Sequence, residues 1–435
     1  MSIQLTAKER FFLCLNNKEI DRLPVINPTS IATQESCNSL GIKFNEVHLN
    51  ADKTAALAAV GYERLGFDSV MPYFGVLMEA AAFGGDINWG SEGTFPTQRG
   101  SIYNNPDEFK MPDNFLELPP IKTIIDSIKS LRKQLGKDAL IIGKVMGPWT
   151  LSYHLDGLED FIVETITEPE MVHEFLAKFK EISIRFANAQ FEAGADVVTL
   201  ADHATADLIS PSSYQEFLLP VHKEINQKFK DRPLILHCCG NTTDRISMFA
   251  EAGFPLFHFD SKNNIDLALK SASDMKLTGC VNNPDVLLRG TTETVNEQVK
   301  EIMQVSLKTP DRNAVITFSI SCFPTNLSIL LTSLLFINHL LFCKLFVPTS
   351  ILLTQSCQIQ KTSILLTHEA QKTQNIYPVN SRTYVIYPVN SRSKCPNLTC
   401  SLEVIIAQFC RLENFLKNLG TPIYQAILRP LLIHP

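Results

Sequence analysis

Eight short apolar runs punctuate the first 316 residues, and longer stretches whose apolar residues return every three or four positions lie between them. The runs are RLPVIN (22–27), DSVMPYF (68–74), ALIIGKVMG (139–147), ADVVTLAD (195–202), RPLILHC (232–238), FPLFHFD (254–260), MKLTGCVN (275–282) and RNAVI (312–316). The intervening helical patterns include 169–194, 211–230 and 293–304, with Ser212 or Ser213 and Thr292 placed to cap two of them. A continuous apolar run fits a parallel strand buried on both faces, and a three-to-four spacing fits a helix lying on such a sheet. Eight alternations of this kind predict an α/β fold, a (β/α)8 TIM barrel, with its active site at the carboxyl ends of the strands. Polar residues gather where the runs stop: Asp202 and His203, His237 and Cys239, Asp260, and Asn282 with Asn283.

The pattern does not continue to the end of the chain. Residues 1–313 hold 42 acids against 30 bases, whereas 314–435 hold three acids against nine bases and a single glycine, Gly420. A compact domain needs glycine at turns with positive φ. IYPVNSR occurs at 376–382 and again at 386–392, an identical repeat too short in period for a stacked structural unit. The expected organisation is therefore a barrel domain over 1–316, incomplete at its eighth strand and helix, and an atypical, poorly ordered extension over 317–435 of frame-shifted or read-through origin. A genuine C-terminal domain is the alternative. The apolar stretch 327–347 approaches the roughly 20 residues that cross a bilayer, but Asn338, His339 and Lys344 interrupt it, so a membrane anchor is not expected.

A formal charge of −6 with 19% charged residues gives no basic surplus for nucleic acid. The N-terminal MSIQLTAKERFFLCLNNKE has no continuous hydrophobic core of a secretory signal, and eleven irregularly spaced cysteines suit reduced thiols, so a cytoplasmic protein is expected. Cys14, Cys37 and Cys280 read as packing residues, and Cys395 with Cys400 lacks the second pair that a metal site of that type would need.

The sharpest chemical feature is LHCCGNTT at 236–243. Residues i and i+2 of a strand point to one side, so His237 and Cys239 can reach one ion together while Cys238 faces away. By themselves, two such residues equally describe a buried histidine beside small apolar cysteines.

LTAKERFFLCLNNKEIDRLPV, ERLGFDSVMPYF, EAAAFGGDINWG, GPWT (147–150), LISPSSYQEFLLPVHKEI (208–225) and GCVNNPDVLLRGTTETVNEQVKEI (279–302) together resemble the uroporphyrinogen decarboxylase superfamily. Within it, the His-x-Cys after the fifth strand is similar to the methylcobalamin:coenzyme M methyltransferases of methanogenic archaea. That resemblance implies zinc held by His237, Cys239 and a further cysteine after the eighth strand. In the relatives that cysteine follows a glycine; here the chain reads TFSISCFPTN, and Cys322 is the only nearby thiol.

The resemblance also implies a reaction: a methyl group passes from a methylated corrinoid protein to the thiol of coenzyme M. A thiol of ordinary pKa near 8.5 is mostly protonated at neutral pH, and the metal is the group that makes it a thiolate. No general base is then required, and Asp202, Asp260 and Asn282 are expected to face the substrate at the mouth or to orient a ligand. Two alternatives stand beside this reading: a uroporphyrinogen decarboxylase-type enzyme without metal, and an inactive barrel that retains binding only.

Overall fold

The computed structural model describes residues 4–279, 281–308 and 316–317. Ten strands occur among them: β1 (Val25–Ile26), β2 (Ser69–Val70), β3 (Asp86–Asn88), β4 (Thr97–Arg99), β5 (Leu140–Met146), β6 (Val197–Ala201), β7 (Leu234–Cys238), β8 (Leu256–Phe259), β9 (Lys276–Thr278) and β10 (Ile316–Thr317). Each of the eight apolar runs supplies a strand or leads into one. β2-β5-β6-β7-β8-β9 form a parallel sheet, and β1 pairs with β10, also in parallel. Side chains and backbone at the start of β2 hold β1 beside it: Asp68 N–H donates to Val25 O at 2.7 Å, Val25 N–H to Asp68 Oδ2 at 2.7 Å, and Asn27 N–H to Ser69 Oγ at 2.9 Å. The resulting order is that of a curled, eight-stranded parallel sheet, an incomplete TIM barrel whose eighth strand is two residues long. The chain after Thr317, including Cys322, the apolar stretch 327–347, the repeat, Cys395 and Cys400, lies outside the described residues, as does Cys280.

The helices follow from the spacing. In Pro119–Leu135, Ile121, Ile124, Ile125, Ile128 and Leu131 form the buried stripe. Pro169–Ala193 ends at Gly194 with φ 115°, a conformation that glycine adopts without strain. Two caps sit slightly upstream of the expected serines and threonine: Ser210 Oγ accepts from Ser213 N–H at 3.0 Å, and Thr291 Oγ1 from Thr294 N–H at 3.4 Å. Pro220, which lacks an N–H and crowds the preceding turn, follows a π-helical widening over Tyr214–Leu218. The antiparallel β3–β4 hairpin carries too few apolar residues to have been visible in the sequence. None of the described helices is long and apolar enough to cross a membrane.

The N-terminal helix Ala7–Leu15 joins the end of the barrel where the strands begin. Lys8 N–H donates to Asp138 O at 3.0 Å, and the buried Arg10 binds Asp21 and Asp68, each at 2.7 Å. Higher in the barrel, Thr199 Oγ1 reaches Pro28 O at 2.7 Å, which shows that alternate residues of β6 point into the lumen.

One seam of the sheet is open. β2 pairs with β5 only at Ser69↔Leu140 and Val70↔Ile141. Beyond that point side chains replace the missing ladder. Lys144 N–H donates to Gln190 Oε1 at 2.9 Å, Gln190 Nε2 donates to Lys144 O at 2.8 Å, and Met146 N–H donates to Glu79 Oε1 at 2.9 Å. Gly143 makes room for the amide, since a Cβ there would stand 2.5 Å from Gln190 Oε1 and 3.0 Å from Val198 Cγ2. Gly143→Ala is therefore expected to displace Gln190, leave the buried Lys144 backbone unpaired and cost about 2–4 kcal/mol. Urea unfolding checks this; a midpoint unchanged from the parent protein would mean that Gln190 does not hold the seam.

Candidate active site

β7 delivers the LHCC segment to the carboxyl end of the sheet. Its register pairs His237 with Ala201 of β6 and with His258 of β8, so these residues share one face. The rings of His237 and His258 stack with centroids 4.6 Å apart and planes 28° apart. His237 Nδ1 lies 3.3 Å from His258 O, which selects the tautomer with hydrogen on Nδ1 and leaves the Nε2 lone pair free to face Cys239 Sγ at 3.0 Å. Burial, reinforced by the Lys144 charge, pushes His237 down to about 4, so the imidazole is neutral at physiological pH. Cys238 points to the other side, where burial raises its thiol well above the ordinary value.

The turn after Cys239 is fixed through its backbone. Gly240 has φ +82°, and an added Cβ would collide with Thr205. Its N–H donates to Asp260 Oδ2 at 3.0 Å, its carbonyl accepts from Asn263 Nδ2 at 3.0 Å, and Thr242 N–H reaches Asn263 Oδ1 at 2.8 Å. Cys239 is thus held by the residues that follow it, and Asn263, four residues past the β8 strand, completes that support.

The donor set fits a soft divalent ion such as zinc. A tetrahedral ion with nitrogen at about 2.0 Å and sulfur at about 2.3 Å separates the two donors by about 3.5 Å. The observed 3.0 Å needs to open by roughly half an ångström. A neutral imidazole with its second nitrogen on a carbonyl is the form that ligates metal. Among the described residues no group of three or more His, Cys, Asp or Glu side chains converges to hold an ion. The expected third ligand, Cys322, lies outside the described residues.

The three residues expected to face substrate are placed differently. Asp202 is 1% exposed and lies on the outer side of β6. Its carboxylate accepts from Thr150 N–H at 2.7 Å and Trp149 N–H at 3.4 Å, at the start of helix Pro148–Leu155, and meets His222 Nε2 at 2.9 Å, with Tyr214 OH 2.9 Å from His222 Nδ1. That arrangement has the residue types of a proton relay but is sealed between strand and helices. Asp202 is a structural anchor because it follows the inward-facing Ala201 by one residue. Asp260 divides its carboxylate between Gly240 N–H and its own turn, where Lys262 N–H donates at 3.0 Å. Asn282 caps the helical turn 283–288, accepting from Asp285 N–H at 2.9 Å. Only Asp260 touches the turn that carries a candidate ligand.

The open seam between β2 and β5 adds a cluster that the strand-end rule did not select. Lys144 projects from β5 to donate to Gly75 O at 2.9 Å and stands 4.3 Å from the centroid of the Tyr73 ring. Tyr73 OH donates to Glu79 Oε2, and burial raises the Glu79 carboxyl. The available signal was a charged residue inside ALIIGKVMG, the most apolar of the runs. Near Gly75, the rim is formed by His48, stacked on Trp89 of the hairpin at 5.5 Å.

The profile of uroporphyrinogen decarboxylase (URO-D) matches residues 6–322. The chain belongs to this family. Its similarity is to the methyltransferase branch: it is 29% identical to the methylcobamide:CoM methyltransferase MtbA of Methanosarcina acetivorans over 308 residues, 70% of this chain and 91% of that protein. MtaA of Methanosarcina barkeri, also a methylcobamide:CoM methyltransferase, is 30% identical, with 69% and 90% of the two chains covered. A solved methyltransferase from Methanosarcina mazei superposes with a TM-score of 0.72 at 26% identity, over 77% of this chain and 99% of that one.

Two outcomes follow from the geometry. Asp202→Asn puts an amide donor where backbone N–H groups point, so stability is expected to fall by about 2–3 kcal/mol in urea; a midpoint unchanged from the parent protein would mean that Asp202 does not anchor the start of helix Pro148–Leu155. His48 is held down to about 4 by burial, against 6.5 in an unfolded chain. Between those values the unfolded state binds the extra proton, so this group's contribution is complete above 6.5 and is lost as the pH falls toward 4. His48→Phe should remove about 2 kcal/mol of the stability lost between pH 7 and pH 5, measured by urea unfolding at both.

Proposed function

We propose that this chain transfers a methyl group from a methylated corrinoid protein to the thiol of coenzyme M, with zinc held by His237, Cys239 and Cys322. The observation that carries the reading is the approach of His237 Nε2 to Cys239 Sγ at 3.0 Å on one face of a strand end. The names of the relatives, methylcobamide:CoM methyltransferases, supply the donor and acceptor chemistry. A metal-free decarboxylase has no use for an imidazole and a thiol aimed at one point.

Zinc bound there supplies the Lewis acidity that lets a thiol ionise at neutral pH. The chain's own contribution is positional. His258 O holds the His237 ring through Nδ1, and burial keeps Nε2 unprotonated. Asp260 and Asn263 fix the Gly240 peptide, and with it the height at which Cys239 stands above the barrel. The ionised substrate sulfur forms a bond to the methyl carbon as the cobalt–carbon bond breaks, both electrons of that bond remaining with cobalt and the thiol proton leaving to solvent. No side-chain base is needed for that step.

Purified full-length protein is expected to bind one zinc per chain and to release a proton when coenzyme M is added. His237→Ala and Cys239→Ala should each weaken zinc binding on the order of 100-fold or more, and Cys322→Ala likewise. Metal analysis with a competing chelator measures all three. Failure of the parent protein to retain zinc would remove the proposal, and zinc binding that is indifferent to Cys322 would remove that residue from it.

A further inference from the structure

Lys144 is 5% exposed and stands in the middle of a fully buried strand. One of its three ammonium hydrogens is used, by Gly75 O, and the Tyr73 ring covers another side. No carboxylate of the described residues lies within ion-pairing distance of it. Glu79 spends its two oxygens on Met146 N–H and Tyr73 OH. Burial pulls Lys144 down to about 8, and the charges of Glu79 and Cys239 act against that fall. The ammonium thus remains mostly charged at neutral pH, and its charge acts on His237 and Cys239. Burying a cation with a donor left unmatched costs several kcal/mol, and a methionine of similar length would fill the space without that cost. The feature is accounted for if an anion enters and accepts that donor.

We propose that Lys144 docks the anionic end of the thiol substrate, so that the chain selects small thiols bearing a sulfonate or carboxylate over neutral thiols of the same length. The inference rests on the methyl-transfer reading and adds a specificity residue to it. Tyr73, locked by Glu79, is the platform that keeps the ammonium from folding back against the wall. The open seam between β2 and β5 is what lets Lys144 reach past its own strand to Gly75.

The test uses full-length protein and has two arms. In the first, ethanesulfonate, which has no thiol, is titrated calorimetrically into the parent protein and Lys144→Met; binding should weaken roughly 10- to 100-fold in the variant. In the second, methyl transfer to 2-mercaptoethanesulfonate is compared with transfer to 2-mercaptoethanol. The ratio of kcat/KM for the two should fall by a similar factor in Lys144→Met, with the neutral thiol changed little. Equal loss on both thiols would assign Lys144 to the sulfur or to the fold and overturn the proposal, as would undiminished ethanesulfonate binding. If the parent protein transfers methyl to neither thiol, the methyl-transfer reading fails, and the calorimetric arm still decides the role of Lys144. The thermal midpoint of Lys144→Met should be no lower than that of the parent; Lys144→Gln replaces it in both arms if it does not fold.

Discussion

The two-residue period of a parallel strand decides which side chains of this protein can meet. Along β5, Lys144 points into the barrel while Gly143 faces the Gln190 of an outer helix. Along β6, Thr199 and Ala201 face inward and Asp202 does not. Along β7, His237 and Cys239 share a side and Cys238 takes the other. A shift of one residue in any of these strands would exchange the lumen for the helix layer, and in β7 it would replace the imidazole–thiol pair with a buried leucine and a sealed cysteine.

This constraint also explains what could be read from the sequence. Eight apolar runs and the stretches of helical spacing between them fix the barrel, because a parallel strand covered on both faces has almost no other pattern to offer. The pairing of His237 with Cys239 was legible for the same reason. Asp202 misled because strand-end position alone does not say which side a residue takes; only the inward placement of Ala201 does. Lys144 went unselected because a charge inside a strand is usually an edge feature, and nothing local in ALIIGKVMG shows that the neighbouring ladder has parted. That parting arises from the shortness of β2, which pairs over two residues, a tertiary fact. The hairpin 86–99, polar and brief, left no periodic trace.

The fixed parts and the adjustable parts of the site are separated in the chain. His237 belongs to a strand locked by neighbours on both sides, whereas Cys239 stands just beyond the last paired residue. What holds the cysteine is the peptide after it: a left-handed glycine that turns the chain away at once, one carboxylate on its N–H and one amide on its carbonyl. A rotation about the Cys239 side-chain torsion shifts the sulfur by a fraction of an ångström and leaves the strand and the turn in place. An ion entering between nitrogen and sulfur needs a displacement of that size. A cysteine placed inside the strand, as Cys238 is, could not supply it, because close packing on the outer face would resist any motion of its side chain. The order His-Cys-Cys-Gly thus combines a donor inside the strand, one buried spacer, a second donor just beyond the strand and the glycine whose pinned peptide sets that donor's position, and the spacing is as informative as the residues.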